Sequence, residues 1–103
     1  MEYTYFKCQW LHEPNEFPVW IYSEIDPGRW EKRKVEVFID STMAPASGDF
    51  DCGDTRLGIV PVPSLKDIAS DPEFEPSEIA AKEFEEVWEE AIGNPRLPLV
   101  EPS

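Results

Sequence analysis

Asp26-Pro27-Gly28-Arg29 separates two runs of alternating apolar and polar residues, and that arrangement leaves few folds open. Proline presets φ for a turn, and glycine accepts the positive φ beside it. Upstream, residues 19–25 set Val19, Ile21 and Ile25 against Trp20, Tyr22 and Glu24. Downstream, residues 30–40 place Val35, Val37 and Ile39 on one side. Period-two runs joined by a short turn predict an antiparallel hairpin. Residues 3–12 alternate in the same way, with Phe6, Cys8 and Trp10 opposed to Tyr5, Lys7 and Gln9, and predict another strand. Two prolines within residues 13–18 end it.

The rest of the chain reads as cover for that sheet. Residues 41–56 are small, polar or acidic and predict a long mobile loop, and residues 57–60 predict a short fourth strand stopped by Pro61-Val62-Pro63. Ser64, with Asp67 three residues on, opens a short helix over residues 65–70 that Asp71-Pro72 closes. Residues 73–79 are expected to be extended. Over residues 80–92, Phe84, Val87, Trp88 and Ala91 recur on one helical face, with Gly93 as C-cap and Pro95 barring continuation. The expectation is an α+β fold: a small antiparallel sheet of three or four strands, a short helix, and an amphipathic C-terminal helix on one sheet face. Residues 1–94 make a single domain, and residues 95–103 a Pro-rich, flexible tail.

Hydrophobic residues make up 41% of the 103, which is enough for one core and argues against disorder despite the charge. That charge is −13, from nine bases and 22 acids. It disfavours nucleic acid, whose backbone is bound by Lys and Arg, and anionic membranes equally. A basic protein is the partner it favours. Cys8 and Cys52 are too few for a disulfide framework or a thiolate metal site. Met1-Glu2-Tyr3 lacks the start of a signal peptide, and no apolar run reaches the ~18 residues of a membrane span. A cytoplasmic protein with reduced thiols is expected.

A spaced pattern runs through nearly the whole chain: Trp10-x-His12, Tyr22-Ser23-Glu24-x-Asp26, Arg29-x-Glu31-x-Arg33-Lys34-Val35-Glu36-Val37-Phe38, then Pro61-Val62-Pro63 and Phe84-x-x-Val87-Trp88. It resembles a family of small bacterial proteins classed as a domain of unknown function. The resemblance is densest between residues 22 and 38 and weakest over residues 41–52. It implies a bacterial, cytosolic origin and brings no activity with it.

No complete catalytic, metal or nucleotide motif is present, and no cofactor is implied. Asp49-Phe50-Asp51-Cys52-Gly53-Asp54 fails the calcium-loop pattern, because the sixth and twelfth positions hold Asp54 and Val60 where Gly and Glu are required. The glycines are scattered, and a single histidine, His12, supplies neither a metal set nor a hydrolase triad. Two charged features remain. On the hairpin, Glu24, Arg29, Glu31, Arg33, Lys34 and Glu36 form either a ladder of ion pairs or a charged concavity. Glu31, Arg33, Val35 and Val37 share one side, so Arg33 is directed at the core and needs a partner there. Together with His12 and Tyr22, the residues Glu24, Arg29, Glu31 and Arg33 are the candidate polar site. The second feature is the stretch of residues 71–103, with ten acids and two bases. Its helix carries the like-charge pairs Glu85/Glu89 and Glu86/Glu90. A non-enzymatic interaction module with an acidic helix face, a small-molecule binder or enzyme at the hairpin, and self-pairing through a sheet edge are the functional readings.

Overall fold

The computed structural model of the chain describes residues 2–11 and 18–101. Its centre is a five-stranded antiparallel sheet in the order β4-β3-β2-β1-β6. The strands are β1 (Thr4–Trp10), β2 (Trp20–Ile25), β3 (Glu31–Val37), β4 (Met43–Ser47) and, after β5 (Asp51–Cys52), β6 (Phe74–Ile79). Two helices, α1 (Leu65–Ala69) and α2 (Ala81–Gly93), complete an α+β fold. The two-residue strand β7 (Leu99–Val100) pairs with β5. The alternating runs of β1, β2 and β3 form the centre of the sheet, as their period-two pattern dictates.

The sheet has more strands than its sequence advertised. Residues 43–47, expected within a mobile loop, are an edge strand whose Ala44, Pro45 and Ala46 are buried. Pro45 is tolerated because an edge strand need not donate on both sides. Residues 57–60, expected as a strand, are not one: Ile59 and Val60 are exposed, and no strand among the described residues pairs with them. The extended segment at 73–79 becomes β6, paired along β1 from Tyr5↔Ile79 to Trp10↔Phe74.

Both faces of the sheet are covered, one by each helix. On one face Phe84 of α2 is fully buried, 5.3 Å from the Tyr5 ring and stacked on Trp88, while Trp88 stacks on Phe50. On the other, Phe6, Cys8 and Ile25 form a core against Val62, Leu65, Ile68 and Phe74. Ser64 caps α1 by accepting from Asp67 N–H at 3.2 Å, as its sequence position predicts. Helix α2 runs through Gly93, and Asn94 takes the C-cap position by donating to Glu90 O.

The hairpin turn departs from expectation in one respect. Arg29, not Gly28, takes the left-handed conformation (φ 72°), while Asp26 Oδ1 accepts from the N–H groups of Gly28 and Trp30, each at 2.9 Å. A β-bulge between Glu24 and Ile25 then shifts the register, pairing Glu24 with Arg33 and Ile25 with Glu31.

Residues 95–100 lie along the β4 side of the sheet. Pro95 bridges Met43, Arg96 N–H donates to Met43 O at 2.6 Å, and the Arg96 guanidinium sits 3.8 Å over the Phe38 ring. Leu97 packs where a Cβ on Gly53 (φ 60°) would come within 2.6 Å of its Cδ1. At the opposite edge, β6 pairs with no further strand among the described residues, and it is poor in donors. Leu11 N–H donating to Glu73 O fixes the phase of the ladder, so Phe74, Pro76 and Glu78 turn their backbone groups outward. Phe74 N–H is taken by Asp71 O, and proline has none.

Candidate functional site

The bulge separates the hairpin charges that the sequence had placed together. Glu31 and Arg33, two residues apart, would share a face in a regular strand. Here Arg33 lies over Glu24 beneath α2, and Glu31 lies over Ser23 on the opposite face. They therefore serve two different structures.

Under α2, Arg33 is held by two carboxylates at once. Its Nε and Nη2 donate to Glu24 at 2.7 Å each, and its Nη1 and Nη2 donate to Glu85 at 3.0 and 2.6 Å. Glu24, with its side chain 5% exposed, also accepts from the Tyr5 hydroxyl at 2.9 Å. The guanidinium sits 5.0 Å from the rings of both Phe84 and Trp88. Bidentate geometry and aromatic neighbours suit arginine and would not suit lysine. The hydrogen bond from Arg33 holds the Glu85 carboxyl below its ordinary range, and the two carboxylates push the guanidinium further up. Burial, then Glu24, raise the Tyr5 phenol. Arg33 thus faces inward and is paired, as its register required, and its donors are committed to this chain. Tyr22 lies on the same face, near Lys7, which bridges to Glu83 at 3.1 Å.

On the opposite face the charges form a clamp. Arg29 donates to Val62 O (3.1 Å) and Pro63 O (2.6 Å), and its carbonyl accepts from Val62 N–H at 2.6 Å. Glu31 accepts from Gly58 N–H (2.8 Å) and from Ser23 (3.0 Å), and lies 3.2 Å from Lys34. Lys34 donates to Arg56 O at 2.8 Å, and Glu36 accepts from Thr55 at 2.5 Å. Four hairpin side chains therefore grip residues 55–63, a segment with no regular structure of its own.

Of the candidate polar residues, Glu24 and Arg33 meet, Arg29 and Glu31 lie across the sheet from them, and His12 is outside the described residues. Sequence reasoning missed Tyr5 as a partner of Glu24 and Glu85 as a partner of Arg33. The only available signal was the helical phase that puts Glu85 beside Phe84. On the outer side of α2, Glu86, Glu89 and Glu90 are exposed and make no ion pair among the described residues. Two clefts flank the clamped face. One, of about 460 Å³, is bordered by Trp10, Glu36, Phe38, Asp54 and Arg96; the other, of about 400 Å³, by Phe6, Cys8, Ile21, Lys34 and Ile68. Among the described residues no group of three His, Cys, Asp or Glu could hold a metal ion. Cys8 and Cys52 are buried free thiols, and burial raises that of Cys8. No helix among the described residues is long and apolar enough to cross a membrane.

What fold and site together define is a small α+β domain, a five-stranded sheet with one charged network beneath its long helix and another that fastens a loop. The chain belongs to the family described as domain of unknown function DUF6881, whose model matches residues 4–93. No curated protein and no solved structure matches it.

Proposed function

We propose that the domain is a non-enzymatic protein-interaction module of the cytoplasm whose acidic helix face engages a basic partner. The observation that carries this reading is the division of labour among the acids of α2. Glu83 and Glu85 are spent on Lys7 and Arg33, whereas Glu86, Glu89 and Glu90 project outward with no ion pair among the described residues, and Lys82, one turn before Glu86, is the one base in the helix. Like charges one turn apart destabilise the helix by a few tenths of a kcal/mol per pair, about 0.2–0.5 each. A face kept acidic at that cost steers a basic protein toward it. An antitoxin or immunity role against a basic toxin is the specific version. The hairpin is a weaker basis for a polar-ligand site, since Arg29, Glu31 and Arg33 are occupied by the chain itself.

Affinity capture at low and high salt, with the captured protein identified, tests the proposal. A Lys/Arg-rich partner is expected at low salt, released by high salt and by the triple substitution Glu86→Lys, Glu89→Lys, Glu90→Lys. Capture indifferent to both, or no such partner, would overturn it.

A further inference from the structure

Residues 95–100 lie beyond the stretch that the family model matches, which stops at residue 93, the last of α2. The fold that the family shares is therefore defined without them. They form a strap over β4 and β5 that is held at few points. Arg96 N–H donates to Met43 O, Leu97 O accepts from the Cys52 thiol at 3.3 Å, and β7 adds two residues of ladder to β5. Little apolar surface is buried in return: Leu97 is 48%, Leu99 37% and Val100 53% exposed. Hydrogen bonds near solvent and few buried apolar contacts mark a segment that opens well before the domain unfolds.

Beneath the strap is a groove with two side-chain subsites, and the resident side chains show what each accepts. One takes a guanidinium: Arg96 sits on the Phe38 ring, donates to Thr42 Oγ1 at 2.6 Å and lies 3.7 Å from Asp40. The other takes a branched apolar side chain, Leu97, in the notch that Gly53 leaves by having no Cβ. Arg96 borders two clefts, the one of about 460 Å³ already described and another of about 400 Å³. The other charged residues around them are Glu36, Asp40, Asp54 and Glu90, so Arg96 is the one base among five charges. Arg56, a little further along the chain, lies 3.8 Å from Asp51, and the two cancel. With the strap lifted, the groove would hold four carboxylates and no cation, which selects for a basic residue in whatever replaces it.

We propose that residues 95–100 are the resident segment of a peptide-binding groove, and that an extended segment of another protein, carrying arginine followed by leucine, takes their place. Main-chain pairing with β5 supplies affinity and the two subsites supply the choice of residue, as in strand addition to a sheet edge. The short link through Asn94 and Pro95 keeps the strap at an effective concentration on the order of 1 mM, so the groove stays shut to weak competitors. Exchange of straps between two copies fits less well. Because that link is short, it would bring two α2 C-termini together, each with Glu89 and Glu90. Apart from Glu90, the groove shares nothing with the outer face of α2.

The test uses the full chain and its variant Arg96→Ser/Leu97→Ser, in which the strap no longer fills the subsites, with peptides followed by amide NMR shifts and fluorescence anisotropy. Pro-Arg-Leu-Pro-Leu-Val and Ser-Arg-Leu-Thr-Val-Thr are both expected to bind the variant at Phe38, Met43, Cys52 and Gly53. They should bind the wild type at least about tenfold more weakly. Glutamate for the arginine, or serine for the leucine, should abolish binding of either peptide. If the variant unfolds, hydrogen exchange on the wild type decides the matter. Arg96 N–H should exchange by local opening, at least about a hundredfold sooner than the amides of β2. An Arg96 amide as protected as β2 would overturn the proposal, as would a folded variant that binds neither peptide or binds no better than the wild type. So would binding of the chain's own sequence alone, which ordinary tertiary packing gives, or a concentration-dependent rise in mass of the wild type. Peptide shifts at Glu86 and Glu89 in place of the groove would overturn it too, while leaving the acidic-face proposal standing.

Discussion

Arg33 neutralises a carboxylate that has almost no access to water, and the consequence of removing it follows from that. In Arg33→Met, Glu24 would remain buried beside Tyr5 with no cation, a loss of about 3–5 kcal/mol in denaturant unfolding. Adding Glu24→Gln removes the stranded charge and should recover much of the loss. A double substitution as unstable as the single one would show that packing, not charge, is what Arg33 supplies. Glu85 reports on the same network through pH. Its folded carboxyl titrates below its unfolded value, so its contribution is fully present above the ordinary glutamate range and is lost as pH falls through the folded value. Glu85→Gln should therefore flatten the acid limb of the stability profile and lower its neutral and alkaline half by a constant amount, leaving the slope there unchanged.

Among the elements, Gly53 makes a clear prediction. Its positive φ and the nearby Leu97 side chain both resist a Cβ, but the side chain can move and the backbone cannot. Gly53→Ala should cost about 1–2 kcal/mol in thermal or denaturant unfolding, and Leu97→Ala should not rescue it. The elements that were legible in the sequence are those whose residues carry their own reason. The hairpin has its alternation, α1 its Ser64 cap and α2 its Phe84, Val87, Trp88, Ala91 stripe. Strand β4 was hidden because Met-Ala-Pro-Ala-Ser has no alternation and contains a proline. It is a strand only because β3 offers it a ladder. Residues 57–60 depart in the other direction, because their apolar character implies burial while it is charged side chains that hold the segment in place. The bulge at Glu24/Ile25 was also silent, and it decides which face each hairpin charge occupies. The site was therefore legible as a set of residues and illegible as an arrangement. Arg33's inward direction was readable from its register with Val35, and its pairing with Glu85 was not.

Across the molecule, charge is segregated: acid concentrates in residues 71–90 and the surplus of base lies around residues 29–34 and 56. A chain at −13 repels itself when compact. Added sodium chloride should therefore raise the melting temperature, since exposed repulsion is screened while the Arg33–Glu24 pair, sheltered under α2, is screened much less. Glu86→Lys/Glu89→Lys/Glu90→Lys should raise the melting temperature at low salt and reduce its salt dependence. A melting temperature that falls with salt would mean that surface ion pairs outweigh the repulsion.

The grip on residues 55–63 closes largely on main-chain atoms: Gly58 N, Arg56 O, Val62 O and Pro63 O. Carbonyls and amides are the same in every amino acid except proline's missing N–H. The fastening is therefore indifferent to what residues 59 and 60 display. Exchanging their side chains for others should therefore leave the mount, and with it the melting temperature, unchanged.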